Sequence, residues 1–306
     1  MYDKTDPRAS LVTAVSSGGN APLSEPEYGL FYKDKPAEDD ANGKTWYTRG
    51  QNFIIAYTEA KPGAVFERSS QVDEYMVMIL DRDTPVVAKA GAQTESSDGY
   101  VLLIMPPGQS SITLPKGGIM TRLFTTQSAD LNAKTSNNAA YAEQHPTIPP
   151  FRPWPAPPEG YKIRAYSLDV AIEPGQFGRI WRCTTFMVNI PNQNSKPRDR
   201  AKLSPHSHDD FEQCSLALAG DWEHHMRWPW GVDQSTWHED VHAKVGSPSV
   251  TVIPAQVIHT SVWTEGGSQL VDIFAPPRVD FSLKPGWVRN EAEYPMPKQP
   301  AAAAAE

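Results

Sequence analysis

Short β-forming runs broken by proline and glycine fill most of this chain, and that texture excludes a fold built on long helices. Proline accounts for 29 of the 306 residues, above the roughly 5% usual in soluble proteins. The runs are rich in Val, Ile, Phe, Tyr and Thr and end at Pro, Gly, Asn or Asp, as strands with turn signals do. In the first half they fall at 53–58, 75–80, 100–105 and 113–124, the last broken by Pro115, Lys116, Gly117 and Gly118. The same texture returns at 164–172, 180–190, 215–218, 249–253 and 269–274. Even spacing of short strands predicts an all-β chain of sandwiches or jelly-roll barrels. The one helical expectation is the Ala-rich stretch 128–144.

Two sets of strands imply two domains, and 306 residues suffice for each to bury a core. The segment 146–160 holds Pro146, Pro149, Pro150, Pro153, Pro155, Pro157 and Pro158, which favours an extended, semi-rigid connector. The expected division is therefore 1–145, a linker at 146–160, 161–300, and a frayed Ala-rich tail at 301–306. A formal charge of −8 gives no electrostatic attraction to nucleic acid or anionic membrane. Cys183 and Cys214 are the only cysteines, too few for a disulfide framework, and suggest a reducing compartment. Without a signal-peptide pattern or a run of ~20 apolar residues, a cytoplasmic location is the expectation.

The chemistry concentrates at 205–212 and 252–259. His206 and His208 are separated by one residue, so on an extended segment they point to one face. Glu212 follows four residues later, and His259 sits just beyond Pro254. Three neutral imidazoles and a carboxylate leave open positions on one divalent ion, a donor mix suited to Fe, Mn, Ni, Co or Zn. These residues resemble the cupin superfamily, whose motifs read H-x-H-x(3,4)-E-x(6)-G and G-x(5)-P-x-G-x(2)-H. His206, His208 and Glu212 fit the first, and Pro254 to His259 the P-x-G-x(2)-H part of the second. Two departures stand out. Seven residues separate Glu212 from Gly220 where the motif has six, so counting back from the glycine selects Gln213. Glu212 is preferred because an anionic oxygen binds a divalent ion better than an amide, with a bulge absorbing the extra residue. Alternation places Cys214, Leu216 and Leu218 on the face of Glu212, read here as barrel lining. The second departure is Gln256, where the family has glycine.

The first half aligns as the same fold with its ligands replaced. Glu74 over Glu212 puts Arg68 over His206 and Ser70 over His208, and Pro106 over Pro254 puts Ser111 over His259. The resemblance thus implies two jelly-roll cupin barrels in tandem, one metal-binding and one a scaffold. His238 to His242 also matches H-E-x-x-H, but without a long amphipathic helix around it the protease reading is set aside.

The segment between the motifs is aromatic, with Trp222, Trp228, Trp230 and Trp237. It suits either a pocket wall or an interface with the other barrel or a second subunit. A homo-oligomer acting on a small-molecule substrate is the expected assembly. Arg182, Arg227 and Trp263 are the candidate substrate contacts, and Glu223 or His225 the candidate proton-transfer group. The resemblance implies a metal-dependent enzyme. The leading reading is an Fe(II) dioxygenase for a small aromatic, enol or diketone compound. Isomerase, lyase, decarboxylase or non-catalytic binding roles are the alternatives.

Overall fold

A computed structural model describes residues 23–231 and 233–298; the 301–306 tail lies outside the described residues. The first half contributes β1 (Glu27–Gly29), β2 (Glu38–Asp40), β3 (Gly43–Arg49), β4 (Phe53–Ala60), β5 (Ala64–Gln71), β6 (Tyr75–Ile79), β7 (Val86–Ala90), β8 (Gln93–Ser97), β9 (Val101–Met105), β10 (Gly108–Leu114) and β11 (Gly118–Thr125). The second contributes β12 (Arg164–Ser167), β13 (Arg179–Arg182), β14 (Met187–Ile190), β15 (Glu212–Ala219), β16 (Trp222–Arg227), β17 (Val241–Val245), β18 (Ser249–Ile253), β19 (Ile258–Trp263) and β20 (Gln269–Ala275). All pairings within the four sheets are antiparallel.

Each half is a pair of facing open sheets, and among the described residues no sheet closes on itself. The first pairs the order β12-β9-β6-β11-β4-β3-β2 with β5-β10-β7-β8; the second pairs β1-β18-β15-β20-β14-β13 with β17-β16-β19. Sheet membership crosses the expected domain boundary in both directions. β1 pairs with β18 of the second half, and β12 pairs with β9 of the first. Each barrel thus covers an edge of its large sheet with a strand from the other half's stretch of sequence.

The two large sheets pack on each other, so their strands are apolar on both faces. Phe53, Ile55, Met76, Met78, Leu102 and Leu123 join Val188, Cys214, Leu216, Val250, Val271 and Ile273 in one buried cluster. The alternate residues Ile54, Tyr75, Val77, Leu103 and Phe124 fill the interior of the first barrel instead. The second barrel's interior holds only small apolar clusters and encloses a cavity. Cys183 and Cys214 are buried free thiols.

Two buried carboxylates tie the halves together reciprocally. Glu212 accepts hydrogen bonds from the Gln51 and Asn52 amides, both at 2.8 Å, in the β3–β4 turn. Glu74 accepts from the Thr184 amide (3.2 Å) and hydroxyl (2.8 Å) in the β13–β14 turn, and from the Tyr294 hydroxyl (2.8 Å). A Cβ on Gly50 would stand 2.9 Å from Glu212 Oε1 and closer still to the Phe53 ring, so the turn approaches the carboxylate only because residue 50 is glycine. The Pro-rich segment straps across these same turns. His145 N and Pro149 O bond the Gln51 and Asn52 side chains, and the Trp154 amide donates to Thr184 O at 2.6 Å.

The helix expected over 128–144 is instead a single turn at Ala129–Asn132 and a 3-10 turn at Asn138–Tyr141. Polar side chains in this stretch take other partners, which competes with a continuous helix. Thr135 Oγ1 donates to Asn132 O, and the Asn137 amide bonds both backbone groups of Arg49.

A fragment beginning at residue 161 would expose the apolar face of the β15 sheet and lose β1 from its edge. It is expected to elute as aggregate in size-exclusion chromatography while the full chain stays discrete; a monodisperse, cooperatively melting fragment would refute this packing.

Candidate metal centre

His206 and His208 precede β15 on an extended segment rather than on a strand. An isolated antiparallel bridge lays His206 against His259, with amide–carbonyl distances of 3.1 and 2.8 Å. Gln256 holds the loop between β18 and β19: it adopts a left-handed φ of +69°, and its amide donates to His208 O at 2.6 Å. Gly108, at the matching place in the first half, has φ +95°. The same left-handed turn is therefore made in both halves, in the second at the steric cost of a side chain at positive φ.

The fourth member of the group is Gln213. Its Oε1 lies 3.2 Å from His208 Nε2 and 3.3 Å from His259 Nε2, while its Nε2 donates to Asp272 Oδ1 at 3.3 Å and so keeps the oxygen inward. Glu212, expected as the carboxylate ligand, faces the other way, into the interface between halves. Alternation correctly groups Glu212 with Cys214 and Leu216, but that face belongs to the inter-sheet core. No bulge intervenes at Glu212, and the six-residue spacing from Gln213 to Gly220 holds.

Each imidazole places Nδ1 on a backbone carbonyl: His206 on Ser204 O (2.9 Å), His208 on Phe211 O (3.1 Å) and His259 on Val257 O (3.0 Å). A carbonyl only accepts, so Nδ1 carries the proton and Nε2 presents a lone pair. Burial pushes His208 down to about 3 and His259 down to about 4, which keeps both rings neutral at ordinary pH. Two bare nitrogens therefore face an amide oxygen with no proton among them. Such converging acceptors fit a cation, and donation from Nδ1 to backbone is the usual support of metal-binding histidine. His206 completes the group at the exposed rim, its ring centroid 4.5 Å from that of His259. As they stand, no three His, Cys, Asp or Glu side chains among the described residues close around one point; the tight part of the group is two imidazoles and an amide.

The group opens into a cavity of about 800 Å3 that His206, Gln213 and His259 line together with Trp222, Trp263 and Phe274. Trp263, a candidate substrate contact, is thus in the cavity wall. The other candidates are not among its lining residues. On β16, Trp222, His224 and Met226 face inward, and Glu223, His225 and Arg227 face outward by strand alternation. Glu223 pairs with Arg200 (2.8 Å), His225 with His242 (2.8 Å), and Arg227 with Asp240. Arg182 is buried under Trp154, its guanidinium donating to Tyr294 O; the C-terminal residues that hold it give no signal in sequence.

Several positions escaped the sequence reading. Gln213 was signalled by glycine spacing. Asp272, Arg198 and Arg278 line the cavity without any motif. His224 is buried, with Nδ1 on Ser261 Oγ at 2.8 Å and Nε2 unpartnered, and burial pushes it down to about 3. The H-E-x-x-H residues form no site: His238 stacks on Trp228 and pairs with Glu25, while His242 belongs to β17. Trp230 and Trp237 stack on each other at the surface, away from the cavity.

In the first barrel the matching place is filled. Tyr75, the counterpart of Gln213, stacks on Phe124 and bonds Ser110 Oγ at 2.9 Å. Arg68 is held by Asp130 at 2.6 Å and pairs across the strands with Ser110, while Ser111 faces Glu67. With Arg68, Ser70 and Ser111 in place of imidazoles, no converging donor group forms there.

No family model and no curated protein matches the chain. Its likeness to solved structures is one of fold. AerE from Microcystis aeruginosa superimposes with a TM-score of 0.53 at 9% identity, covering 84% of this chain and 98% of that one. The oxalate decarboxylase of Lactobacillus farciminis, solved as a formate complex, gives 0.53 at 13% identity over 85% and 88%. The coconut allergen cocosin gives 0.51 at 13% over 80% and 85%. No helix among the described residues is long and apolar enough to cross a membrane. These likenesses are of fold, and by fold the chain is two jelly-roll barrels in tandem.

Proposed function

We propose that the chain is a metal-dependent enzyme whose second barrel holds one divalent ion and oxidises a small enol or aromatic compound with dioxygen. The observation that carries the reading is the pair of neutral imidazoles facing the Gln213 oxygen at the wall of a substrate-sized cavity. His206, His208, Gln213 and His259 would hold the ion, which supplies Lewis acidity and, if it is iron, redox exchange with dioxygen. All four donors are uncharged, so the ion's charge remains available to an anionic oxygen of the substrate. Asp272 orients Gln213, and the backbone carbonyls at 204, 211 and 257 orient the rings. Trp222, Trp263 and Phe274 supply an apolar wall that limits water around the reacting group.

Fold neighbours that include an oxalate decarboxylase support a second reading, non-oxidative cleavage of a carboxylate in the same cavity. Oxygen uptake by iron-loaded protein across enol, phenol and diketone compounds separates the two. Consumption coupled to product supports oxidation; unchanged turnover under strict anaerobiosis eliminates it and leaves the lyase reading. A compact, metal-loaded protein inert toward every compound would point to small-molecule binding without catalysis.

Proton competition provides a further check. A folded pKa of about 3 for His208 and about 4 for His259 means that neither needs to lose a proton to bind metal above pH 5. Their contribution to affinity should be flat from pH 5 to 8 and fall only as pH drops through about 4. Zinc titrations of the His206→Ala variant across this range test it; a steep loss near pH 6.5 would contradict the buried, neutral assignment.

A further inference from the structure

We propose that Arg198 is the anion-recognition residue of the cavity, and that the molecule bound there is a small aromatic carboxylate. This rests on the reading of that cavity as the substrate site. Among the described residues three cations line it, and two already have carboxylate partners. Arg278 is paired with Asp280 at 2.7 Å and packed among the rings of Phe211, Phe274 and Phe281. Lys202 lies 4.0 Å from Asp199. Arg198 has no carboxylate partner among the described residues, and its sequence neighbour Asp199 is engaged by Lys202 and the Ala201 amide.

The guanidinium is nevertheless held in place. It lies over the Trp263 ring at 5.1 Å, with Nη1 donating to Ser261 O and Nη2 to Ser204 Oγ, both at 2.8 Å. Its own amide donates to Trp263 O at 3.1 Å, and Trp263 Nε1 donates to Lys196 O at 2.8 Å, so residue 198 is fixed to β19 from both sides. These neutral acceptors fix direction without balancing charge, and Nε remains available. Partial burial pushes the guanidinium down from its ordinary pKa with no opposing carboxylate. A half-buried, immobilised cation lacking a counter-ion is suited to a ligand anion.

Ser204 links this cation to the metal centre. Its hydroxyl accepts from Arg198 and its carbonyl accepts from His206 Nδ1. One residue thus touches both the cation and a member of the donor group, which suits a molecule with a carboxylate at one end and an oxygen donor near the other. Phe177, Trp222, Trp263, Phe274 and Phe281 also line this cavity, and such walls favour a flat ring by stacking. A volume of about 800 Å3 admits one or two fused rings.

The test compares acid with amide on full-length protein freed of metal by chelation, so that binding does not depend on an ion. Benzoate and 1-naphthoate are titrated beside benzamide and 1-naphthamide, followed by calorimetry and by tryptophan emission. Wild-type protein should prefer each carboxylate over its amide by roughly tenfold or more, the scale of one charge-assisted pair. Arg198→Gln should bring acid and amide near parity with an unchanged melting temperature, and Arg198→Lys should restore part of the preference. Equal binding of acid and amide by wild type, a preference surviving Arg198→Gln, or no binding of any probe at millimolar concentration would overturn the proposal. Absence of metal or turnover with the acid preference intact would count against the enzyme reading alone.

Discussion

Replacing Glu212 by alanine is expected to lower the unfolding free energy by about 2–5 kcal/mol, while each folded chain keeps its metal. The carboxylate is wholly buried and accepts the Gln51 and Asn52 amides across the interface. Its removal leaves two backbone donors without this partner, the one at Asn52 in a buried place. Burial pushes this carboxyl up to about 7, against 4.5 for the free group. A folded pKa above the unfolded one means that the folded state holds the extra proton between those values. Stability should therefore fall as pH rises from about 4.5 to about 7, and the alanine variant should lack that slope. Denaturant titrations at several pH values, with elemental analysis of the folded fraction, check both parts. Loss of metal from a variant of undiminished stability would return Glu212 to the ligand set.

The second large effect concerns the donors themselves. His206→Ala combined with His208→Ala should abolish stoichiometric metal binding, because it leaves one imidazole and a weak amide oxygen. Gln213→Glu should tighten binding by roughly tenfold or more, since it sets a negative charge beside the ion in a partly desolvated site. Gln213→Ala should weaken it. Competition titrations with a zinc chelator measure all three, and circular dichroism confirms folding. If Gln213→Glu binds no better than wild type, the oxygen at 213 is not directed at the ion. A second equivalent of metal that survives the double His replacement would show that the centre lies elsewhere.

Much of the architecture is legible in the sequence. Short β-branched runs with turn residues at their ends specify antiparallel strands locally, and doubling of that pattern implies two barrels. The imidazole spacing was equally legible, because His206 and His208 share a face of any extended segment and His259 follows a turn that Pro254 initiates. Replacement of these residues by Arg68, Ser70 and Ser111 indicated which barrel lacks the donors.

Strand periodicity groups residues by face but does not say what each face meets, and the misplaced residues all follow from that. Glu212, Cys214 and Leu216 were correctly set together, yet their face turned out to pack on the other half. Gln213, by the same alternation, then faces the cavity. Glu223, His225 and Arg227 share a face of β16 in the same way, and only the three-stranded sheet turns that face outward. The exchange of β1 and β12 between sheets, the strap at 145–154 and the reciprocal carboxylates Glu74 and Glu212 are long-range contacts with no local signature. Local stereochemistry in the chain determined the strands, their turns and the pairing of imidazoles. The packing of two sheets decided which side of each strand became core and which became site, because burial is a property of the assembled faces and not of any one of them.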